Sequence, residues 1–520
     1  MSLLLGENSY SVFSTDFAPA LILRMNTKRL DRSPAYVISL SLFFLYTAGI
    51  NRPAIAQINP DQTLGAENSI LIPGGTTGIN GPFADLISGG AQRGANVFHS
   101  FSEFNIDEGQ QVYFENPVGV NIIFSRVTGA SQSNILGTLG VLGNADLFLL
   151  NPNGIIFGLD AQLDLGGSLI ATTADSVLFD DTFAYSASNP QAVPLLSVNV
   201  PVGLQYGSNP GRIVNQSVSG FALFAPAGLQ VQPEQTIALL GGDIEMLGGS
   251  LTTQSGRIEI GSVGGNSIIS LTSTNPGWTV SYEGVENFQD INLSEAALAI
   301  DEDGGGIQLQ GRRINLSGGA QVYALNLGAE AGETLTVRAS ESVELNGIFL
   351  TGDFATGLFS ETQGTRAASN IDIETQQLRI QDGAQIASYD PSSTGEAGSG
   401  KVSVNASEFV EVVGVDSLGI DASFITTQGF VGNGGDLSVT TGRLVLRDGG
   451  RLTTSTFGSS QGGRLEVNAS DSVELIGSVV SDQGRTFQSG LFSRSEPSAI
   501  GAAGEVVINT NNLIVQDGAE

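Results

Sequence analysis

From Gln57 onward the chain alternates short apolar runs with glycine, asparagine, aspartate and serine, and no stretch keeps a 3.6-residue period. Runs such as Val112 to Phe114, Asp146 to Leu150, Ile155 to Phe157 and Ile258 to Ile260 read as strands closed by turn residues. Their close, regular spacing excludes doubly wound and TIM-type folds, which need a helix between parallel strands. A sandwich is complete within about 250 residues, whereas this pattern runs to Glu520.

Internal repeats define the architecture more closely. Ile314 to Gln321, Leu378 to Gln385, Leu444 to Arg451 and Leu513 to Glu520 align with one another. A second element recurs at Ser342 to Gly347, Phe409 to Gly414 and Ser472 to Gly477. A third recurs at Leu335 to Ser340, Val402 to Ser407 and Leu465 to Ser470. Taking Ser317, Asp382, Asp448 and Asp517 as equivalent gives intervals of 65, 66 and 69 residues. Divided by three, these predict coils of about 22 residues in a right-handed parallel β-helix, a β-solenoid. Strand periodicity then turns Leu378 and Ile380 inward and Arg379 and Gln381 outward, with Leu444 and Leu446 inward around Val445. Asp-Gly and Gly-Gly pairs turn the corners, where glycine permits positive φ. The last element stops on its corner, whereas a strand follows each earlier copy at once. The expectation is a longer array with further copies and a polar cap.

The first 56 residues read differently. Arg24, Lys28, Arg29 and Arg32 form a basic stretch, and Tyr36 to Ile50 is an uncharged, largely apolar run of 15 residues. Ala54-Ile55-Ala56 precedes Gln57 as a small-residue cleavage site, which completes the pattern of a secretory signal peptide. A membrane anchor would need about 20 apolar residues. Residues 1–24 are either an extended n-region or precede a true start at Met25. The mature chain is expected to begin at Gln57, and terminal sequencing that found Tyr36 to Ile50 still attached would overturn this.

Composition narrows the chemistry. The 520 residues carry 21 basic and 52 acidic side chains, a net charge of −31, and no cysteine. Removing residues 1–56 leaves 16 basic and 49 acidic groups, a charge of −33. That charge argues against nucleic acid as a partner. Without a thiol there is no disulfide or thiolate metal site, as suits a chain that crosses an oxidising periplasm unfolded. His99 is the single histidine. Triad chemistry and multi-histidine metal sites therefore lack material, and His99, between Phe98 and Phe101, reads as a packed side chain. The Asp-Gly pairs lack the nine-residue period of calcium-binding repeats and read as turns. Trp278 reads as a packing anchor. No cofactor, metal or catalytic residue is assigned.

Several stretches carry a family resemblance. Val97 to Ile106, Ser125 to Gly129 with Ile135 to Gly137, and Leu149 to Gly158 resemble the filamentous haemagglutinin N-terminal (two-partner secretion) domain. The last holds Asn151-Pro152-Asn153-Gly154-Ile155, that family's Asn-Pro-Asn-Gly-Ile motif. Pro201 to Gly207, Ile213 to Gln216, Gly228 to Gln232 and Leu239 to Asp243 extend the likeness over roughly residues 60–265. The downstream repeats resemble the haemagglutinin-like arrays of such exoproteins. One departure stands: the family's earlier Asn-Pro-Asn-Leu motif survives only as Asn116-Pro117, followed by Val118-Gly119.

The expected organisation is a signal peptide over 1–56, a secretion domain over 57–265, connecting coils over 266–303 and solenoid repeats over 304–520. The resemblance implies export by the general secretory machinery and then through a dedicated outer-membrane β-barrel with periplasmic domains, with folding at the cell surface. Asn151-Pro152-Asn153-Gly154 fits a type I turn whose integrity secretion requires. The alternative is direct contact with the transporter. The functional expectation is a secreted or outer-membrane-associated, adhesin-like exoprotein with an unknown surface ligand. One alternative is a stalk delivering a toxin, haemolysin or haem-acquisition activity beyond residue 520. A β-helical polysaccharide lyase or hydrolase ranks below both, because the acidic residues are spread out beside turn glycines rather than gathered along one groove.

Overall fold

The computed structural model describes residues 57–77, 81, 83–190, 197–218, 228–302, 304–349, 354–391, 397–430, 432–459, 461–481, 483–497 and 499–520. The signal-peptide reading, with Ala54 and Ala56, falls outside the described residues, and Gln57 is the first of them. Every regular element described is a strand except one 3₁₀ turn, Gly65–Glu67. The chain is all-β, and its main body is a parallel β-helix. Twenty strands form one sheet and nine form a second. Pairing in the nine-stranded sheet is parallel throughout, as between Gln385–Asp390 and Phe424–Gly429. In the larger sheet, among the described residues, only Ile58–Pro60 and Ala91–Arg93 pair antiparallel, both with Asn96–Phe104 near its start.

Between the sheets runs one continuous apolar interior of Leu, Ile, Val and Phe side chains, from Ile58 to Leu475. Alternation along the repeat strands builds it. Leu378 and Ile380 are fully buried, and so are Leu444 and Leu446. Arg379 and Gln381 face out, as the pattern predicts. Val445 also faces out but is covered, with 4% exposure. Arg379, at 2.9 Å, and Arg447, at 3.2 Å, share Glu411 across neighbouring coils. Such surface pairs contribute little each, but they break up a long apolar outer face.

The 22-residue coil does not hold in the repeats. Leu335 pairs with Ile371, Ile371 with Val402, Val402 with Leu437 and Leu437 with Leu465, steps of 36, 31, 35 and 28 residues. Each repeat is therefore two coils, not three. The third and second sequence elements are the two halves of one strand, such as Leu335–Asn346. The first element occupies the same rung in the alternate coil, since Leu345 stands opposite Ile380. The two coils differ at the corner. One turns on Asp-Gly, with φ of +57° and +88° at Asp382 and Gly383 and +55° and +95° at Asp448 and Gly449. Two successive positive φ values make the tight turn that Asp-Gly favours. The other coil leaves through Gly347, Gly414 or Gly477 into a longer loop. The register also places Gly318, rather than Ser317, level with Asp382, because Leu316 and Ile380 share one column.

In the first coils the expected spacing is present: Ile123 pairs with Leu147, and Leu147 with Leu169. There the strands Ile122–Val127 and Leu169–Thr172 are buried at every position. An antiparallel sheet covers their outer face, made of Ser176–Phe179, Ala184–Ser186, Pro201–Gln205, Ile268–Ser273 and Trp278–Ser281. Phe98, Phe124 and Phe148, which point away from the helix interior, pack with Tyr185, Leu204 and Trp278 in a second core. Strands covered on both faces read as unbroken apolar runs. Trp278 is indeed an anchor. It is 1% exposed, meets Phe148 edge-on at 5.3 Å and donates through Nε1 to Asp146 at 2.8 Å.

Candidate functional site: the asparagine turn and its buried supports

Asp146–Leu150 runs parallel to Ile122–Val127 on one side and Leu169–Thr172 on the other, then ends at Asn151. Asn151 is fully buried, and its carbonyl accepts from Gly154 N at 3.1 Å, closing the turn that the sequence predicts. Its side chain is spent inside the fold. Nδ2 donates to Ser131 O and to Ser133 Oγ, both at 3.0 Å, and Oδ1 accepts from the Asn153 backbone N–H at 3.0 Å. The last bond is the asparagine-to-backbone bond two residues on that such turns use. Asn153 Nδ2 adds a bond to Gly129 O at 2.8 Å. The turn is thereby fastened to the loop of the preceding coil.

Gly154, at φ +125°, lies where a Cβ would come within 2.9 Å of Arg212 O. Ile155–Phe157 then enters the sheet between Ser133–Ile135 and Ile213–Asn215. Pro152 is half-buried and Asn153 is exposed. The motif thus divides into a buried fastening, Asn151, and an exposed lip at Asn153.

Asn116 and Pro117 form a second corner, where Val120 N donates to Pro117 O at 3.0 Å. With its amide oriented to suit its neighbours, Asn116 donates to Val120 O and accepts from the backbone N–H groups of Asn144 and Ala145. Val118 and Gly119, which replace the family's second pair, protrude into solvent, and Gly119 takes φ +83°. The retained half of the motif is the half with a structural task.

His99 is 1% exposed, with Nδ1 3.0 Å from Ser69 Oγ and its ring against Phe114. Burial pushes its pKa down to about 3, so the imidazole stays neutral. Asn151, Asn116 and His99 lie at separate points of these coils and do not converge on a common cavity.

The sequence did not single out Arg126, which lies in the strand Ile122–Val127 and is 1% exposed. Its Nε donates to Ser100 Oγ at 2.9 Å, Nη1 to Ser186 O at 2.8 Å and Nη2 to Thr63 Oγ1 at 2.9 Å. The guanidinium sits 4.3 Å from the centre of the Tyr185 ring. Asp61 completes the cluster by accepting from Thr63, Ser100 and Thr128 at 2.6 to 2.8 Å. Burial alone would raise the Asp61 carboxyl, but those hydrogen bonds outweigh it and hold the pKa below the ordinary value. One charged network thus joins the amino-terminal segment, the first coils and the covering sheet. A lone arginine in an apolar strand was the available signal.

A second buried charge lies farther along. The Glu259 side chain is fully buried; its Oε1 is 3.2 Å from Arg257, while Oε2 and the buried Tyr282 hydroxyl lack partners. Burial pushes the Glu259 pKa from its ordinary 4.5 up to about 8, against the opposing pull of Arg257. Folding then takes up a proton. The stability this group allows is fully present below pH 4.5 and is lost as pH rises towards 8. Glu259→Gln should raise the melting temperature, by a margin that widens from pH 5 to pH 8.5. A margin that stays constant across that range contradicts this assignment.

Among the described residues, no three His, Cys, Asp or Glu side chains gather as metal ligands.

The family described as TPS secretion domain matches residues 56–307. The heme/hemopexin-binding protein of Haemophilus influenzae is 38% identical over 72 residues, which are 14% of this chain and 8% of that protein. A second protein of that name from the same species is 36% identical over 75 residues, with the same shares. The chain thus aligns with less than a tenth of these relatives' length. Among solved structures, the HMW1 secretion domain from Haemophilus influenzae superposes with a TM-score of 0.48 at 18% identity, covering 85% of this chain and all of that one. A filamentous hemagglutinin secretion domain gives 0.30 at 15% identity, covering 81% and 99%.

Proposed function

We propose, from the premise that residues 56–307 are a TPS secretion domain, that this chain is an exoprotein exported by a two-partner secretion transporter. The family match carries this reading. The route is the general secretory machinery, cleavage before Gln57, then an outer-membrane β-barrel with periplasmic domains. The asparagine turn acts by holding neighbouring coils together rather than as a catalytic site. In the unfolded chain, strand edges are open to β-augmentation on a partner. Beyond the membrane each coil stacks on the last, which releases free energy and opposes back-sliding. The coils after the secretion domain form a surface-exposed, adhesin-like shaft with no chemistry of its own.

A haem-acquisition role has only the short match to the heme/hemopexin-binding proteins behind it. His99 is buried and bound to Ser69, and Met246 is fully buried, so neither offers an axial ligand to haem. The test is to express the full gene with and without a candidate transporter. Transporter-dependent, protease-accessible surface protein whose first residue is Gln57 supports the proposal. Equal surface levels without the transporter overturn it.

A further inference from the structure

The outward face of the nine-stranded sheet holds a polar cavity that the export reading leaves unused. It spans the strands Phe424–Gly429, Arg451–Thr456 and Gly490–Ser495, and its volume is about 130 Å³. In register across these strands stand Phe424, Arg451 and Gly490, then Thr426, Thr453 and Phe492, then Gln428, Ser455 and Arg494. The floor is Thr426, 1% exposed, and Thr453, 9% exposed. Both threonine hydroxyls and Arg451 Nε are buried without a hydrogen-bond partner. An unmatched buried polar group is costly to leave unpaired, and three of them line one cavity.

Charge gives the sign of the occupant. Arg451 and Arg494 line the cavity with a single carboxylate, Glu496, so the lining carries a net positive charge. Burial and then the like charge of Arg494 push the Arg451 pKa down, and Asp421 offsets this only in part. Among the described residues, neither guanidinium has a carboxylate oxygen within 4.0 Å. This stands out on a chain of net charge −31. Arg451 lies over the Phe487 ring at 5.5 Å and Arg494 over the Phe492 ring at 4.1 Å, which orients both guanidinium groups. A planar guanidinium fork matches a carboxylate with two hydrogen bonds.

Size and lining give the rest. The cavity holds the equivalent of about four waters, which suits one small group and not a cofactor. Threonine hydroxyls can donate or accept, as ring hydroxyls require, while Phe424 and Phe457 supply apolar walls. We propose that this cavity binds the carboxylate of an acidic sugar, with the guanidinium groups of Arg451 and Arg494 on the carboxylate, Thr426 and Thr453 on ring hydroxyls, and Phe424 and Phe457 against the ring's C–H face. The site lies in the repeats and does not depend on how the chain is exported.

The test is calorimetric titration of the purified mature chain with methyl glucuronide, methyl glucoside, sodium acetate and sodium sulfate. Methyl glucuronide should bind with a millimolar Kd, and the other three at least about tenfold more weakly. Arg451→Gln should lose about tenfold in glucuronide affinity. Should that variant misfold, Arg494→Gln, at an exposed position, takes its place. Thr453→Val should lose affinity several-fold without lowering the melting temperature, since its hydroxyl has no partner to lose. No saturable glucuronide binding below about 50 mM, which corresponds to less than about 2 kcal/mol, overturns the proposal. Equal binding of acetate or sulfate overturns the sugar assignment, and unchanged affinity in the arginine variants overturns the site. These readings are independent of surface levels, so failure here and failure of the export reading are separable.

Discussion

Asn151→Ala should nearly abolish surface protein, with the chain retained or degraded in the periplasm. The side chain holds Ser131 O, Ser133 Oγ and the Asn153 N–H in a fully buried position. Alanine fills none of these roles. At roughly 1 kcal/mol per lost bond, with more for each buried group left unpaired, the cost is about 3 kcal/mol. That is a large fraction of a typical domain's stability, and it falls where this turn is fastened to the loop of the preceding coil. Pro152→Ala should lower export in the same direction but less. It frees φ, worth about 1 kcal/mol, yet keeps the carbonyl that accepts from Gly211 N.

Asn153→Ala separates the two accounts of the motif. Asn153 is exposed, and its backbone bond to Asn151 survives the change. If the turn acts through stability, export should follow melting temperature across all three variants. Loss of export in Asn153→Ala at an unchanged melting temperature would mean that the transporter reads the lip directly. Normal surface levels for both Asn151→Ala and Pro152→Ala would refute any need for the turn.

What the sequence revealed, and what it concealed, divides by range of interaction. Leu378, Ile380, Leu444 and Leu446 declared their direction by alternation, because a strand with one solvated face must alternate. Asp382-Gly383 and Asp448-Gly449 declared their corners, because few residues accept two successive positive φ values. The Asn151 turn was legible for the same local reason. Coil length was not. The repeat interval of 66 divides as readily by three as by two, whereas Leu345 and Ile380 share one column although 35 residues separate them. The covering sheet was also hidden. Its trace was the unbroken apolar run Leu147 to Leu150, which reads equally well as a strand in a thin solenoid wall. Thr426 and Thr453 look like ordinary strand residues until the register sets them side by side beneath Arg451.

Arg126→Met should be the most destabilising change in the amino-terminal coils. Methionine keeps much of the volume but removes the donors to Ser100 Oγ, Ser186 O and Thr63 Oγ1 and the contact over Tyr185. These link three segments distant in sequence, so the loss loosens the amino-terminal segment and the covering sheet together. Removing one member of a buried charged network costs about 3–5 kcal/mol, which should appear as a clear drop in melting temperature of the purified chain. Asp61→Asn should destabilise less, because Asp61 is only half-buried and an amide still accepts through one oxygen. Ser100 and Thr63 touch both charged groups, so the double variant should lose less than the sum of the single losses. The pH dependence checks the same wiring. The Asp61 pKa is depressed on folding, so its contribution is present above the ordinary value of 3.8 and is lost as pH falls below it. Asp61→Asn should therefore flatten the acid limb of the stability profile and leave the neutral region merely shifted. A melting temperature within a degree of wild type for Arg126→Met, or strict additivity in the double variant, would show that the cluster holds nothing together.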